Sequence, residues 1–486
     1  MDEQQSSYRQ IIKATSLFGG VQVFNIIISI VRSKAIAVLL GPSGMGIAGL
    51  LTSTIGVIAS VTNFGLGSSA VRDVAAAHSS GDTERMSVVT TVFRKWVWVT
   101  GTLGAIVTLI ASPWLSELTF GNRNYTLAFI MLSVTLLINQ LTSGQNVLLQ
   151  GTRKLKYLAA ANMIGSTVSL VVTLPIYYLY GMNGIVPAIV IMSLLTLVVS
   201  FYFANKLNIP KALVTTKIII SEGKGMLRLG FMLSLSGLIA VFGAYLLRIY
   251  ISNTGTIEDV GLYSAGFAII GTYVGLIFSA MGSDFYPRLA SIAKDNEQAN
   301  ALINQQAEIA LLILGPILIA FILFIQWIVI LLYSQQFTPI NDMIIWAALG
   351  MFFKAGSWPI GFQFLANGAS KLYFWSELVT NVYLLIFNIL GYYFFGLEGL
   401  GISFLATYII YFFQVYYISN KLYSFKYNSG FLKIMFFGIT LGVVSLFLTK
   451  YVVSFWSYTI GIIILLGSVV FSFSMLNAKL GLLKKK

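Results

Sequence analysis

The sequence has no cysteine, a single histidine and few charged residues, 9% of its 486 positions. Without cysteine there are no disulfides and no thiolate metal sites. With so little charge, and 57% hydrophobic residues at a mean hydropathy of +0.85, the chain has too few polar groups to cover a water-facing surface. The motifs G-x-x-x-x-G-K-[ST] and H-E-x-x-H are both absent, so this chain carries no phosphate-binding loop for ATP and no zincin-type zinc site. His78 stands beside Asp73 and Asp82 in a polar segment, where it reads as a solvated loop histidine. No cofactor, metal or catalytic residue is expected.

Long apolar runs are abundant. Segments of about 20 residues, each able to cross a hydrocarbon core of ~30 Å as a helix, follow one another along the chain. Closed barrels would show short alternating strands instead of continuous runs such as Leu103–Ala111 or Ile462–Val470. The reading is an all-α polytopic membrane protein with fourteen spans, near 15–40, 47–71, 88–112, 126–150, 158–180, 185–205, 229–251, 261–283, 307–333, 343–366, 374–395, 400–419, 433–449 and 457–475. Met1–Gln10 is polar and the first span has no small-residue cleavage site after it, so a retained helix is expected.

The net charge of +14 is divided among short loops and forms no long basic stretch, which argues against nucleic acid. With a cytoplasmic N-terminus, the inner loops and tails hold most of the cations, including Lys484–Lys486, and the outer loops hold only Arg123 and Lys450. Both termini are therefore expected in the cytoplasm.

The chain also repeats. Tyr177-Tyr178 with Gly181 and Gly184 recurs as Tyr392-Tyr393 with Gly396 and Gly399, and Asn205-Lys206-Leu207 recurs as Asn420-Lys421-Leu422, both at a separation of 215. Gly151, Lys154 and Leu155 are matched to Gly368, Lys371 and Leu372 at 217, and Lys34 and Gly41 to Arg248 and Gly255 at 214. Six spans separate equivalent points, which implies a parallel repeat of two pseudo-symmetric six-helix bundles. The expected partition is residues 1–213, 214–430, and 431–486 for two added helices and a basic tail. Such bundles suit a substrate site near the midplane that is exposed alternately to the two sides.

Arg32, Lys34, Arg248 and Lys354 fall inside spans, where a charge costs at least ~2.5–3.5 kcal/mol. Acidic residues sit in loops or at span ends, with Glu308 and Glu377 closest to being exceptions. Two readings stand for these cations: snorkelling toward headgroups, or an aqueous interior site for an anion. Lys354, about eleven residues into its span or ~17 Å from its start, is the hardest to explain by snorkelling. Asn139 and Asn146 share a helical face, and with Asn25 and Gln363 they suit either sugar hydroxyls or helix–helix hydrogen bonds. Arg72 and Arg288 end spans 2 and 8 and read as cytoplasmic anchors or entrance residues.

Lys34-x6-Gly41-Pro42-x-Gly44-x-Gly46, Gly65-x-Gly67 leading to Arg72 and Gly81-Asp82, Tyr286-Pro287-Arg288-Leu289, and Phe337-Thr338 followed by Lys354 resemble the Wzx-type O-antigen and lipid-linked oligosaccharide flippases. These are members of the polysaccharide transporter family in the multidrug/oligosaccharidyl-lipid/polysaccharide exporter superfamily. The resemblance extends over the whole chain. It implies a 12+2 arrangement of spans and a cationic cavity. It also implies outward movement of an undecaprenyl-pyrophosphate-linked repeat unit across the bacterial inner membrane, alongside a glycan polymerase and chain-length machinery. The competing readings are a lipid II or drug exporter of the same superfamily, a membrane polymerase or ligase, and a passive channel. A drug exporter would carry acidic residues for organic cations, and a polymerase would need a sizeable outer loop that no segment here supplies.

Overall fold

The structure, a computed structural model, describes residues 3–480; Met1, Asp2 and the basic tail Lys484–Lys486 lie outside the described residues. The described residues are helical almost throughout and contain no strand. Fourteen α-helices follow in order: α1 Glu3–Thr62, α2 Leu66–Ser79, α3 Thr83–Phe120, α4 Thr126–Gly151, α5 Leu155–Tyr180, α6 Ile185–Asn205, α7 Thr216–Thr254, α8 Ile257–Ala268, α9 Gly275–Ile292, α10 Asn296–Leu332, α11 Asn341–Ala366, α12 Ser370–Tyr423, α13 Ser429–Tyr451 and α14 Ser454–Leu480. A π-helical turn, Ile269–Val274, joins α8 to α9.

These helices do not map one to one onto the fourteen expected spans. Among the described residues, 11 continuous helical stretches are long and apolar enough to cross a membrane. Three of them, Gly20–Thr62, Leu155–Asn205 and Ser370–Tyr423, each cover all or most of two expected spans. Each is bent by a glycine of positive φ: Gly41 (65°), Gly181 (54°) and Gly396 (59°). At Gly41 the following Pro42 explains the break, because its ring disfavours helical geometry in the residue before it. Span 2, expected over 47–71, is interrupted. Asn63 accepts a hydrogen bond from the Gly65 amide at 2.8 Å, and Phe64 and Gly65 both take positive φ, so the helix ends and α2 begins anew. Much of the expected loop after span 2 is then helical, as α2 and the start of α3. Short polar side chains begin several helices: Asp82 accepts from the Arg85 amide, Asp295 from those of Glu297 and Gln298, and Asn428 from that of Phe431.

The chain divides into two compact units, Met1–Gly261 and Leu262–Lys486. In the first, α7 packs against α1, α2 and α3. The glycines after Pro42 have a steric purpose here: a side chain on Gly46 would collide with the Ile257 carbonyl, and one on Gly261 with that of Pro42. In the second unit, α11 packs on α10 and α12, and α13 and α14 pack on α10. Tyr333, fully buried, donates from its hydroxyl to the Ala265 carbonyl at 3.0 Å.

Backbone conformation sharpens the internal repeat. Gly181 (φ 54°, ψ −133°) and Gly396 (φ 59°, ψ −138°) are nearly superimposable in dihedral angles. At the ends of α4 and α11, the amides of Arg153 and Lys154 bond to the carbonyls of Gln150 and Leu149, and those of Gly368 and Ala369 to the carbonyls of Leu365 and Phe364. The residue of positive φ is Arg153 in one turn and Gly368 in the other, again 215 apart. The match of Gly151 to Gly368 is thus displaced by two residues: Arg153 is the conformational counterpart.

Candidate functional site

Two adjoining cavities lie within the first unit. The larger, about 830 Å³, is bordered by α1, α2, α4 and α7. Its polar lining comes from Ser60, Asn63, Ser68, Ser143 and Ser234 and from the amides of α4, Asn139, Gln140, Asn146 and Gln150. None of the described residues lining it is ionisable. Asn139 and Asn146, placed by sequence on one helical face, do border one space. The buried Oδ1 of Asn146 has no hydrogen-bond partner among the described residues, whereas Gln140 donates to Thr100 Oγ1 at 2.9 Å. A neutral wall of amides and hydroxyls, part of it uncommitted, suits a hydrated neutral ligand rather than a phosphate.

The second cavity, about 570 Å³, has Arg32 as its one charged lining residue among the described residues, with Asn25, Ser29, Asn162 and Ser166 around it. Arg32 Nε is buried without a hydrogen-bond partner among the described residues. Ser166 donates to Asn25 Oδ1 at 3.2 Å, so part of the Asn25 amide is already engaged between α1 and α5. Among the described residues, no carboxylate lines this cavity. A half-buried guanidinium with no carboxylate partner among the described residues has the chemistry to take an anion. Asn139 and Thr142 border both cavities, so α4 forms their common wall.

The remaining expected site residues lie elsewhere. Lys34 and Arg248 line neither cavity; Arg248 donates to the Ala244 carbonyl at 3.3 Å, one turn back on α7. Lys354, in the second unit, stands against aromatic rings, its Nζ 5.0 Å from the Tyr408 centroid, 5.7 Å from that of Phe278 and 6.0 Å from that of Phe404. It also interacts electrostatically with Glu377, which accepts a hydrogen bond from Tyr411 at 3.0 Å. Sequence had offered Lys354 no acidic neighbour. Gln363 is fully enclosed, its Oε1 accepting from Ser419 and its Nε2 donating to Asn300 at 3.5 Å. That is the helix–helix alternative and not a cavity wall. Arg72 and Arg288 pair with neighbours on their own helices, Asp73 at 2.8 Å and Asp284 at 3.2 Å, in exposed settings.

Sequence reading did not single out the serines of the larger cavity, because serine is unremarkable in a membrane helix. The Asn63-Phe64-Gly65 break was the available signal. Nor did it foresee how Glu308 is used: buried in α10, it forms an ion pair with Lys479 of α14.

A two-unit, all-helical membrane protein with polar cavities among its spans has the architecture of a transporter. The same fold is seen in a structure of the lipid II flippase MurJ in an inward closed conformation, with a TM-score of 0.72 at 15% identity, over 96% of this chain and 99% of that one. An inward-facing multidrug resistance MATE family transporter of the MOP superfamily matches with a TM-score of 0.67 at 18% identity, over 83% and 94% of the two chains. Among curated proteins, the lipid III flippases of Escherichia coli (strain K12) and Shigella flexneri are each 22% identical over 385 residues, 78% of this chain and 91% of theirs. Residues 35–342 match the family described as polysaccharide biosynthesis protein, and the chain belongs to that family. Its relatives are transporters and not enzymes, in keeping with the expectation from sequence.

Proposed function

We propose that the protein is a flippase for a lipid-linked oligosaccharide. In this reading it carries an undecaprenyl-pyrophosphate-linked repeat unit of O-antigen type from the cytoplasmic to the periplasmic leaflet by alternating access, with a polymerase and chain-length machinery acting on the product. The observation that carries the reading is the pair of cavities joined at Asn139: neutral amides and hydroxyls on one side, and an unneutralised Arg32 on the other. A glycan with an anionic diphosphate has these two parts. The lipid III and lipid II flippase relatives support a lipid-linked cargo, although their names leave the sugar open.

A drug exporter for organic cations is the weaker reading, because among the described residues neither cavity is lined by a carboxylate. Lys34, Arg248 and Lys354 are proposed as further cations along the path of the diphosphate, and Arg72 and Arg288 as residues of its cytoplasmic entrance. With an anionic cargo, the membrane potential favours outward movement by ~2.3 kcal/mol per charge and 100 mV.

The test is reconstitution. Purified protein in liposomes, supplied with undecaprenyl-pyrophosphate-linked glycan in one leaflet and no ATP, should expose the glycan to an external lectin or glycosidase. Absence of exposure, or exposure only of an organic cation substrate, would refute the proposal.

A further inference from the structure

A third cavity of the first unit, about 440 Å³, lies away from those two, between the starts of α3 and the ends of α4 and α6. Three cations border it: Arg94 and Lys95 on α3, and Lys211 in the segment between α6 and α7. Among the described residues no carboxylate does. Arg94 is half-buried and makes no hydrogen bond or ion pair among the described residues, although burial disfavours a charge left in that condition. Gln145 of α4, 9% exposed, likewise makes no side-chain hydrogen bond there. Lys211 is held in place by its neighbour, since the Ala212 amide donates to Thr91 Oγ1 at 3.1 Å.

The rest of the lining is apolar. Trp98 and Phe201 are 54% and 50% exposed on helices long and apolar enough to cross a membrane, while Phe93, Val97 and Leu141 form the floor. The cleft therefore has an apolar side open to hydrocarbon and a cationic rim at one end of the spans. It is on the same side as the short basic loop Thr152–Lys154 between α4 and α5.

We infer that this cleft binds an anionic phospholipid. The headgroup phosphate sits on Arg94, Lys95 and Lys211, with Gln145 donating from its amide, and an acyl chain lies against Trp98 and Phe201. Several features select this ligand. A soluble phosphate has no use for the exposed aromatic flank, and a zwitterionic lipid supplies a second charge that the carboxylate-free rim does not match. The guanidinium fork of Arg94 suits phosphate oxygens better than an ammonium would.

The experiment is native mass spectrometry of the purified full-length protein, titrated with phosphatidylglycerol or cardiolipin and, in parallel, with phosphatidylcholine. Wild type should retain the anionic lipids in preference to phosphatidylcholine. Arg94→Gln and Lys211→Gln should each lower that retention about fivefold, the factor for one basic residue near an anionic surface, while Lys156→Gln, exposed at the start of α5, leaves it unchanged. Arg94→Lys, which keeps charge, should recover part of the binding and shows that the site is folded. Gln145→Leu should weaken binding without changing the lipid preference.

Two competitors separate the sources of phosphate. Inorganic pyrophosphate should leave the lipid bound; displacement by it at millimolar concentration overturns a lipid site. Displacement by undecaprenyl pyrophosphate far below the concentration at which phosphatidylglycerol competes would assign the cleft to the carrier and overturn the phospholipid. Equal retention by wild type and Arg94→Gln would overturn the inference altogether. The readout is binding and not transport, so it stands or falls apart from the flippase proposal.

Discussion

Gly65 and Gly230 meet backbone against backbone: a methyl group added to Gly230 would stand 2.6 Å from the carbonyl carbon and oxygen of Gly65. In turn, a side chain on Gly65 would collide with the Gly230 carbonyl and with Ser234. Here the break in the second span crosses α7, beside the cavity that Ser234 and Gly65 line.

The crossing has no room for a side chain, so Gly230→Ala should destabilise the protein by about 1–3 kcal/mol and Gly230→Val by more. Gly65→Ala adds the cost of a positive φ. Gly225→Ala, one turn and a half away on α7 with no atom near its missing Cβ, should be neutral or slightly stabilising. Scanning fluorimetry in detergent gives the ranking, and a Gly230→Val protein as stable as wild type would contradict it.

Asn146 has an unpartnered buried oxygen, which separates ligand binding from folding. Asn146→Ala removes no protein hydrogen bond through that atom, so its melting temperature should stay near wild type while transport falls about three- to tenfold, the worth of a hydrogen bond or two to the cargo. Asn139→Ala, at the wall of both cavities, should lower transport further. If glycan exposure by both variants equalled wild type, the neutral cavity would not bind the sugar.

Arg32 should be needed for charge and for shape. Arg32→Met, of similar length, relieves a half-buried unpaired charge and is expected to melt no lower than wild type, yet to lose most export. Arg32→Lys should keep a part of it, since a compact ammonium replaces the fork. Surface glycan in a strain lacking its own flippase, with membrane levels followed by immunoblot, reports both variants.

Much of this was legible in the sequence. Hydropathy identifies the helices because lipid leaves the backbone no other partners, and loop residues reveal the repeat because turns tolerate fewer residue types than spans do. The face shared by Asn139 and Asn146 follows from helical periodicity alone. Gln363 was not legible: an amide in a span looks the same whether it meets a sugar or Ser419 and Asn300, and only tertiary packing distinguishes them. Lys354 on α11 meets rings from α9 and α12, and no local pattern records the mutual register of those three helices.

For Lys354 the rings and Glu377 now set the expectation. Lys354→Ala should abolish or strongly reduce export while the protein still inserts, Lys354→Arg should retain part, and Lys354→Glu should be worse than alanine because it places a second carboxylate near Glu377. Full export by Lys354→Ala and Lys354→Glu at normal membrane levels would show that this cation does not serve the cargo.

Orientation is open to a direct check. A reporter fused after Asn477 should read cytoplasm, and one inserted near Gly255 should read periplasm. The reverse pattern would invert the assignment made from loop charges.

The partition expected from the sequence would put α7 in the second bundle, whereas its packing puts it with α1, α2 and α3 in the first unit. During synthesis, a membrane-inserted chain that has reached only residue 213 would thus be waiting for a partner. The faces of α1, α2 and α3 that α7 covers, Gly65 among them, would be shielded only after another span had left the translocon. It also means that separately expressed fragments should reassemble better when divided at Gly255–Thr256, between α7 and α8, than at the expected repeat boundary, where the cut would leave the first fragment one helix short.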